Sequence, residues 1–205
     1  MKIIGLTGSI ATGKSTIAGW ANELGVATHD SDYAVHELLG PGGGAVKDVL
    51  AEFGSHFGTI ADGVNRRSLG NEVFAAPQKR LKLESILHPM VRQHRGAFIA
   101  EQRKANAVAI VLDVPLLFET GGEAMCDYVI VVYASSKTTV KRALARPGMT
   151  RDKLASILAS QIPSDDKKAR ADLALDSDMP KDQTRNQLID WLSAIGLSIV
   201  KDKLG

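Results

Sequence analysis

One cysteine, Cys126, in 205 residues leaves no internal disulfide framework to reconstruct. It also removes any argument for maturation in an oxidising compartment, and its expected role is to fill core space beside a strand. No apolar run approaches the ~20 residues of a membrane span. The first residues run straight into a short apolar segment, without the basic stretch, long apolar region and cleavage site of a signal peptide, so the expected location is cytoplasmic. No run of five or six like charges occurs, and 25 Lys and Arg nearly balance 23 Asp and Glu to give +2. Nucleic acid and anionic membrane are therefore not expected partners, whereas a small anion needs only a loop and a few placed arginines. His88 has no second histidine or cysteine at ligand spacing, which argues against a zinc site. Internal repeats and low-complexity tracts are also missing, and His36, His56 and His94 have no partner visible in the sequence.

What remains is the composition of an ordinary globular chain, 44% hydrophobic and 23% charged, long enough for one main body with small inserts. Five segments are apolar on consecutive residues: Ile3 to Leu6, Val26 to Thr28, Val108 to Leu112, Tyr128 to Tyr133 and Leu173 to Leu175. Strands of a parallel sheet covered on both faces read this way. Ile17, Ala21 and Leu24 share one face of a helix that Gly25 would end, and Leu188, Trp191, Leu192 and Ile195 mark a last helix before Gly196. Alternation of this kind predicts an α/β layered fold with ligands beyond the carboxyl ends of the strands. Two stretches break the rhythm. Residues 41–106 are expected to form an inserted helical subdomain, with a helix starting at His88-Pro89, where proline suits the first turn. Residues 137–168 are expected to form a second helical excursion bearing Arg142 and Arg146. The Pro41-Gly42-Gly43-Gly44 run reads as a connector or a hinge.

Gly8-Ser9-Ile10-Ala11-Thr12-Gly13-Lys14-Ser15 carries the chemistry, because it satisfies the P-loop spacing and sits between an apolar strand and an amphipathic helix. Successive N–H groups and a helix N-terminus then face one phosphate chain. Lys14 would reach the β- and γ-phosphates, and the Ser15 hydroxyl would ligate magnesium. No Asn/Thr-Lys-x-Asp motif of guanine-specific proteins occurs, which favours ATP. After the second strand, Asp32 can take a proton from an attacking hydroxyl, hold magnesium through water, or cap the helix near Tyr33; Asp30 reads as structural. Asp113 ends an apolar strand and competes for the metal, while Glu119 suits either the site or a structural ion pair. Arg142 and Arg146, four apart on one helical face, suit a lid closing over transferred charge or, more blandly, a solvated face.

Taken in order, these residues resemble dephospho-coenzyme A kinases over almost the whole chain. The likeness rests on Asp30-Ser31-Asp32, Phe53-Gly54, Asp62-Gly63, Arg66, Leu69, Phe74 and His88-Pro89. It continues through Val114-Pro115-Leu116-Leu117-Phe118-Glu119, Arg142 and Arg146, Gln161, and Lys167 through Ala171-Asp172. The resemblance implies a P-loop NTPase-like three-layer fold with a five-stranded parallel sheet. Its core would be residues 1–40, 107–136 and 169–205, its substrate-binding insert 41–106, and its lid 137–168. It implies transfer of the ATP γ-phosphoryl group to the ribose 3′-hydroxyl of dephospho-CoA, with Mg2+ as cofactor and these two small molecules as partners. Asp32 would be the base, with Lys14 and Arg142 stabilising transferred charge. Gly8, Ala11, Thr12, Gly13, Lys14, Ser15 and Thr16, with Arg142 and Arg146, would bind ATP. Asp32, Arg66, His88 and Glu119 would lie toward the acceptor, and Ser15, with Asp32 or Asp113 through water, toward the metal. Ser9 and Ala11 depart from the family's loop glycines, Asn65 from an aspartate, Thr139 from a glutamine and Ser177 from an asparagine. Ser9 and Ala11 need backbone angles acceptable to a residue with a side chain, so the two positions are not both expected to require glycine-only geometry. A nucleoside or nucleoside monophosphate kinase on the same core, and a nucleotide-dependent switch, are the alternative readings.

Overall fold

A computed structural model describes residues 1–74 and 76–198, with the side chain of Phe74 excepted. Residues 199–205 of the expected core, and the Phe74 side chain, thus lie outside the described residues. The chain divides into two compact units, one formed by Met1–His29 with the residues from Gln102 onward, the other by Asp30–Glu101.

The first unit begins with β1 (Lys2–Gly8), α1 (Lys14–Glu23) and β2 (Ala27–Asp30). The second holds α2 (Ser31–Leu39), α3 (Val46–Phe53), β3 (Gly58–Thr59), β4 (Gly63–Val64), α4 (Arg66–Phe74) and most of α5 (Pro77–Lys104). The chain then returns through β5 (Ala109–Asp113), β6 (Tyr128–Tyr133), α6 (Ser136–Leu144), α7 (Arg151–Ala159) and α8 (Ser164–Ala169). It ends its described course with β7 (Leu173–Asp176) and α9 (Lys181–Ala194).

The five long strands form a parallel sheet in the order β2-β5-β1-β6-β7, with β1 at the centre. Every residue of β5 is buried, which explains its unbroken apolar run. Alternate residues of β6 enter different cores. Ile130 and Val132 pack with Ile17 and Ala21 of α1 and with Leu188 and Leu192 of α9. Val129 and Val131 pack with Leu117, Phe118 and the partly buried Ile162 on the other side. Cys126 joins that second cluster as a partly buried side chain. Gly25 ends α1 at φ 85 and Gly196 follows α9 at φ 84, as the sequence predicts.

The second unit contains what the sequence conceals. Residues 58–64 form a two-stranded antiparallel hairpin too short to leave a periodic signal. Gly43 lies in a packed turn rather than a loose hinge, because a Cβ there would stand 2.3 Å from the Leu38 carbonyl oxygen. The helix expected to start at His88-Pro89 instead begins at Pro77, and Pro89 lies inside it. Leu83, Ile86, Leu87 and Met90 keep one apolar stripe facing Val46, Phe57 and Leu69 across this point. Packing of the stripe against this core on both sides of Pro89 offsets the hydrogen bond that proline cannot donate, and Pro89 itself is exposed to water. His94 on this helix lies 3.2 Å from Glu37, a pairing not apparent from their separation in sequence.

Candidate active site

The phosphate loop leaves the carboxyl end of the central strand and enters α1. Gly8 is required by close approach, since a Cβ there would sit 2.3 Å from the Val132 carbonyl oxygen. Thr12 is buried and donates its hydroxyl proton to the Ser9 carbonyl at 2.9 Å, tying the loop across its base. Gly13 precedes α1 at φ 95, a conformation natural to glycine.

Ala11 and Ser9, the two departures from the family's loop glycines, differ in backbone conformation, so they do not both need glycine geometry. Ala11 stands at φ 60, in the left-handed region, where a side chain costs about 1–2 kcal/mol. The strain is held by packing, because Ala11 is buried with Ala143 of α6 and Leu154 of α7. Ser9, by contrast, is not among the described residues with positive φ.

Lys14, in the first turn of α1, places its ammonium 3.8 Å from the carboxylate of Asp113 at the end of β5. Asp113 is only 6% exposed, so this loose pair gathers the loop's positive charge and one carboxylate at the same sheet edge. Ser15 and Thr16 follow on the exposed first turn of the helix.

A cavity of about 310 Å³ opens beside the loop, lined by Ala11, Gly13, Thr16, Arg142, Arg146 and Ser177. Trp20 and Met179 add apolar surface to its wall. The sequence points to five of those six lining residues as nucleotide-binding, and to Ser177 only as a departure from a family pattern. Arg142 donates from Nη1 to the Ser177 hydroxyl at 2.8 Å and from Nη2 to its carbonyl at 3.0 Å. Ser177 lies one residue beyond β7, and the rule that ligands gather past the carboxyl ends of strands would have flagged it. Arg142 and Arg146 do not form the expected helical pair, since α6 ends at Leu144 with Ala145 as its cap. They meet at the cavity wall instead. Ser177→Ala is expected to raise the KM for nucleotide about threefold with little change in kcat, because the side-chain acceptor is lost and the carbonyl remains. Steady-state kinetics at varied nucleotide would check this.

Glu119 has a mainly architectural environment. Its Oε1 lies 2.7 Å from the ammonium of Lys167, which is fully buried, and accepts the Ile162 N–H at 2.9 Å. Burial by itself would raise its pKa, but the Lys167 hydrogen bond, the Ile162 N–H and the lysine charge together bring it below the ordinary glutamate value. A depressed carboxylate pKa contributes stability fully above the unfolded value and loses it as pH falls through the folded one. Glu119→Gln should therefore be less stable near neutral pH by roughly 3–5 kcal/mol, the usual cost of stranding a buried charge. The difference from the parent should close in acid, as thermal melts across a pH series would record.

The remaining predicted residues lie in the second unit. Asp30 caps α2, accepting from the N–H groups of Asp32 and Tyr33 at 2.8 and 3.0 Å. The cap considered for Asp32 therefore belongs to Asp30, and Asp32 stands exposed in the first turn. Arg66 opens α4 and is exposed. His88 is also exposed and sits in mid-helix, not at a helix start. Among the described residues no group of three or more His, Cys, Asp or Glu could hold a metal, and no helix is long and apolar enough to cross a membrane. A magnesium ion does not need such a cage. It keeps several waters and binds through phosphates with one or two protein oxygens, which suits the Ser15 hydroxyl and a carboxylate such as Asp113.

A strained phosphate loop on the central strand, a lysine in the first helical turn and two arginines on one cavity wall are the equipment of a P-loop kinase. Comparison with known proteins narrows the class. A profile of dephospho-CoA kinases matches residues 2–182. The dephospho-CoA kinase of Rhodospirillum rubrum is 50% identical over 170 residues, 83% of this chain and 80% of that one. That of Brucella melitensis is 42% identical over 196 residues, 95% and 96% of the two chains. The solved dephospho-CoA kinase from Campylobacter jejuni superposes with a TM-score of 0.69 at 26% identity, over 94% of this chain and 96% of that one. The chain belongs to the dephospho-CoA kinase family.

Proposed function

We propose that the chain transfers the γ-phosphoryl group of ATP to the ribose 3′-hydroxyl of dephospho-coenzyme A, giving coenzyme A and ADP, the last step of coenzyme A synthesis. The observation that carries the reading is the cavity of about 310 Å³ on the phosphate loop, lined by Arg142 and Arg146, in a chain of this family. In the reaction the acceptor hydroxyl oxygen bonds to the γ-phosphorus, the bond to the β–γ bridging oxygen breaks, and the hydroxyl proton passes to the Asp32 carboxylate. Lys14 and Arg142 stabilise negative charge on the transferred group, where fixed donors in a site closed to water are most effective. Gly8, Ala11, Thr12, Gly13, Ser15 and Thr16 hold the phosphate chain through the loop and helix N-terminus. Ser15, with Asp113 or Asp32 through water, would hold Mg2+. When bound, magnesium would neutralise charge on the β- and γ-phosphates.

Residues 41–106 act in this reading as the acceptor-binding insert and residues 137–168 as the lid. Supporting the first is that Asp32, Arg66 and His88 share the unit formed by Asp30–Glu101. Supporting the second is that α6 carries Arg142 to the nucleotide cavity. A coupled assay for ADP, run with magnesium, ATP and a panel of acceptors, tests the whole. Turnover with dephospho-CoA and not with nucleosides or nucleoside monophosphates is expected. Phosphorylation of nucleoside monophosphates alone, or ATP hydrolysis indifferent to acceptor, would defeat the proposal.

A further inference from the structure

The strained phosphate loop is held from outside by a chain of contacts that the catalytic account does not use. Ile10, beside the left-handed Ala11, donates its N–H to the side-chain oxygen of Gln161 at 3.2 Å. Gln161 lies between α7 and α8 and is itself partly buried. Its neighbour Ile162 is fastened twice: the N–H goes to Glu119, and the side chain packs with Leu117, Phe118, Val129 and Val131. Glu119 in turn is gripped by Lys167 of α8, whose side chain is fully buried. The segment between β5 and β6 that carries Glu119 is held a second time, because Arg170, just past α8, pairs with Glu123 and lies 4.1 Å above the Phe118 ring. A backbone in a sparsely populated conformation persists only where its surroundings over-determine it. Here those surroundings are the packing of Ala11 against α6 and α7 and the Gln161 hydrogen bond.

We propose that Gln161, Glu119 and Lys167 are positioning residues for the nucleotide: the buried Glu119–Lys167 pair sets the 161–162 turn, and Gln161 holds the Ile10–Ala11 peptide in its phosphate-ready form. None of the three touches the reacting atoms. A loop already set loses less conformational freedom when phosphates bind, so the brace raises nucleotide affinity rather than the rate of transfer. The buried ion pair suits this task, because a lysine and a glutamate taken out of water stay paired in one geometry or leave a costly unpaired charge. The inference rests on the reading of the Gly8–Ser15 loop as the phosphate site.

The test is isothermal titration of the full chain with MgADP, beside thermal melts. Gln161→Met keeps the length of the side chain and removes the acceptor. It should weaken MgADP binding about three- to tenfold, the ordinary worth of one hydrogen bond, with the melting temperature and the KM for the acceptor unmoved. Glu119→Leu with Lys167→Met removes both charges of the pair together, so the buried lysine is not left unpaired, and should weaken MgADP binding in the same range. Adding Gln161→Met to that pair should cost little more, since all three changes interrupt one path. Parent-like MgADP affinity in Gln161→Met would overturn the brace. Full additivity in the triple variant would overturn its link to the ion pair. Failure of the unaltered chain to bind MgADP would instead overturn the phosphate-site reading, and the brace with it. A pair variant that does not fold leaves Gln161→Met to decide.

Discussion

Asp32→Asn is expected to lower turnover about 10²- to 10⁴-fold, the span over which a positioned general base acts, while nucleotide affinity changes less than about twofold. The substitution is suited to the question because it is nearly isosteric and the side chain is exposed in the first turn of α2. The helix should survive it, since its start is capped by Asp30, which accepts from the N–H groups of both Asp32 and Tyr33. Loss of turnover would thus report proton transfer or metal positioning rather than unfolding. Single-turnover kinetics with a separate nucleotide titration would measure the two quantities. Normal turnover in Asp32→Asn would show that the base lies elsewhere.

Lys14→Ala should reduce kcat by roughly 10²- to 10³-fold, the scale on which one donor to a developing charge is felt, and weaken nucleotide binding as well. Two effects are combined in this variant. The ammonium is lost from the phosphates, and Asp113, only 6% exposed, loses the positive charge 3.8 Å away. Asp113→Asn separates them, because it removes the carboxylate and leaves the lysine. If Asp113 positions magnesium, this variant should require several-fold more Mg2+ for half-maximal activity. An unchanged magnesium dependence would assign that work to Ser15 and Asp32. Wild-type kcat in Lys14→Ala would refute the assignment of transferred charge to Lys14.

Much of the scaffold was legible in the chain. Strand β6 begins and ends where its apolar run does, at Tyr128 and Tyr133, and β1, β2, β5 and β7 lie within two residues of their apolar segments. Buried parallel strands leave such runs because both faces are covered, and the effect is local to each segment. The α5 helix shows the limit of local reasoning. A proline that suits a helix start stands inside a helix, because the stripe formed by Leu83, Ile86, Leu87 and Met90 packs against one core on both sides of it. The hairpin at residues 58–64 was invisible for another reason: two-residue strands carry no period to detect.

The sequence by itself determined the phosphate loop, the acid closing β5, the arginine-bearing excursion and the family, because glycine spacing and ordered motifs are properties of the chain. Only the tertiary structure decided how those residues divide the labour. It assigned the α2 cap to Asp30, tied Arg142 to Ser177, put Ala11 under strain and drew Glu119 into a buried pair with Lys167. The separations explain the difference. Arg142 and Ser177 lie 35 residues apart, and Ile10 and Gln161 lie 151 apart. A hydrogen bond depends on distance and direction, and across such intervals both are set by how the sheet and helices pack, not by any pattern a single segment can carry.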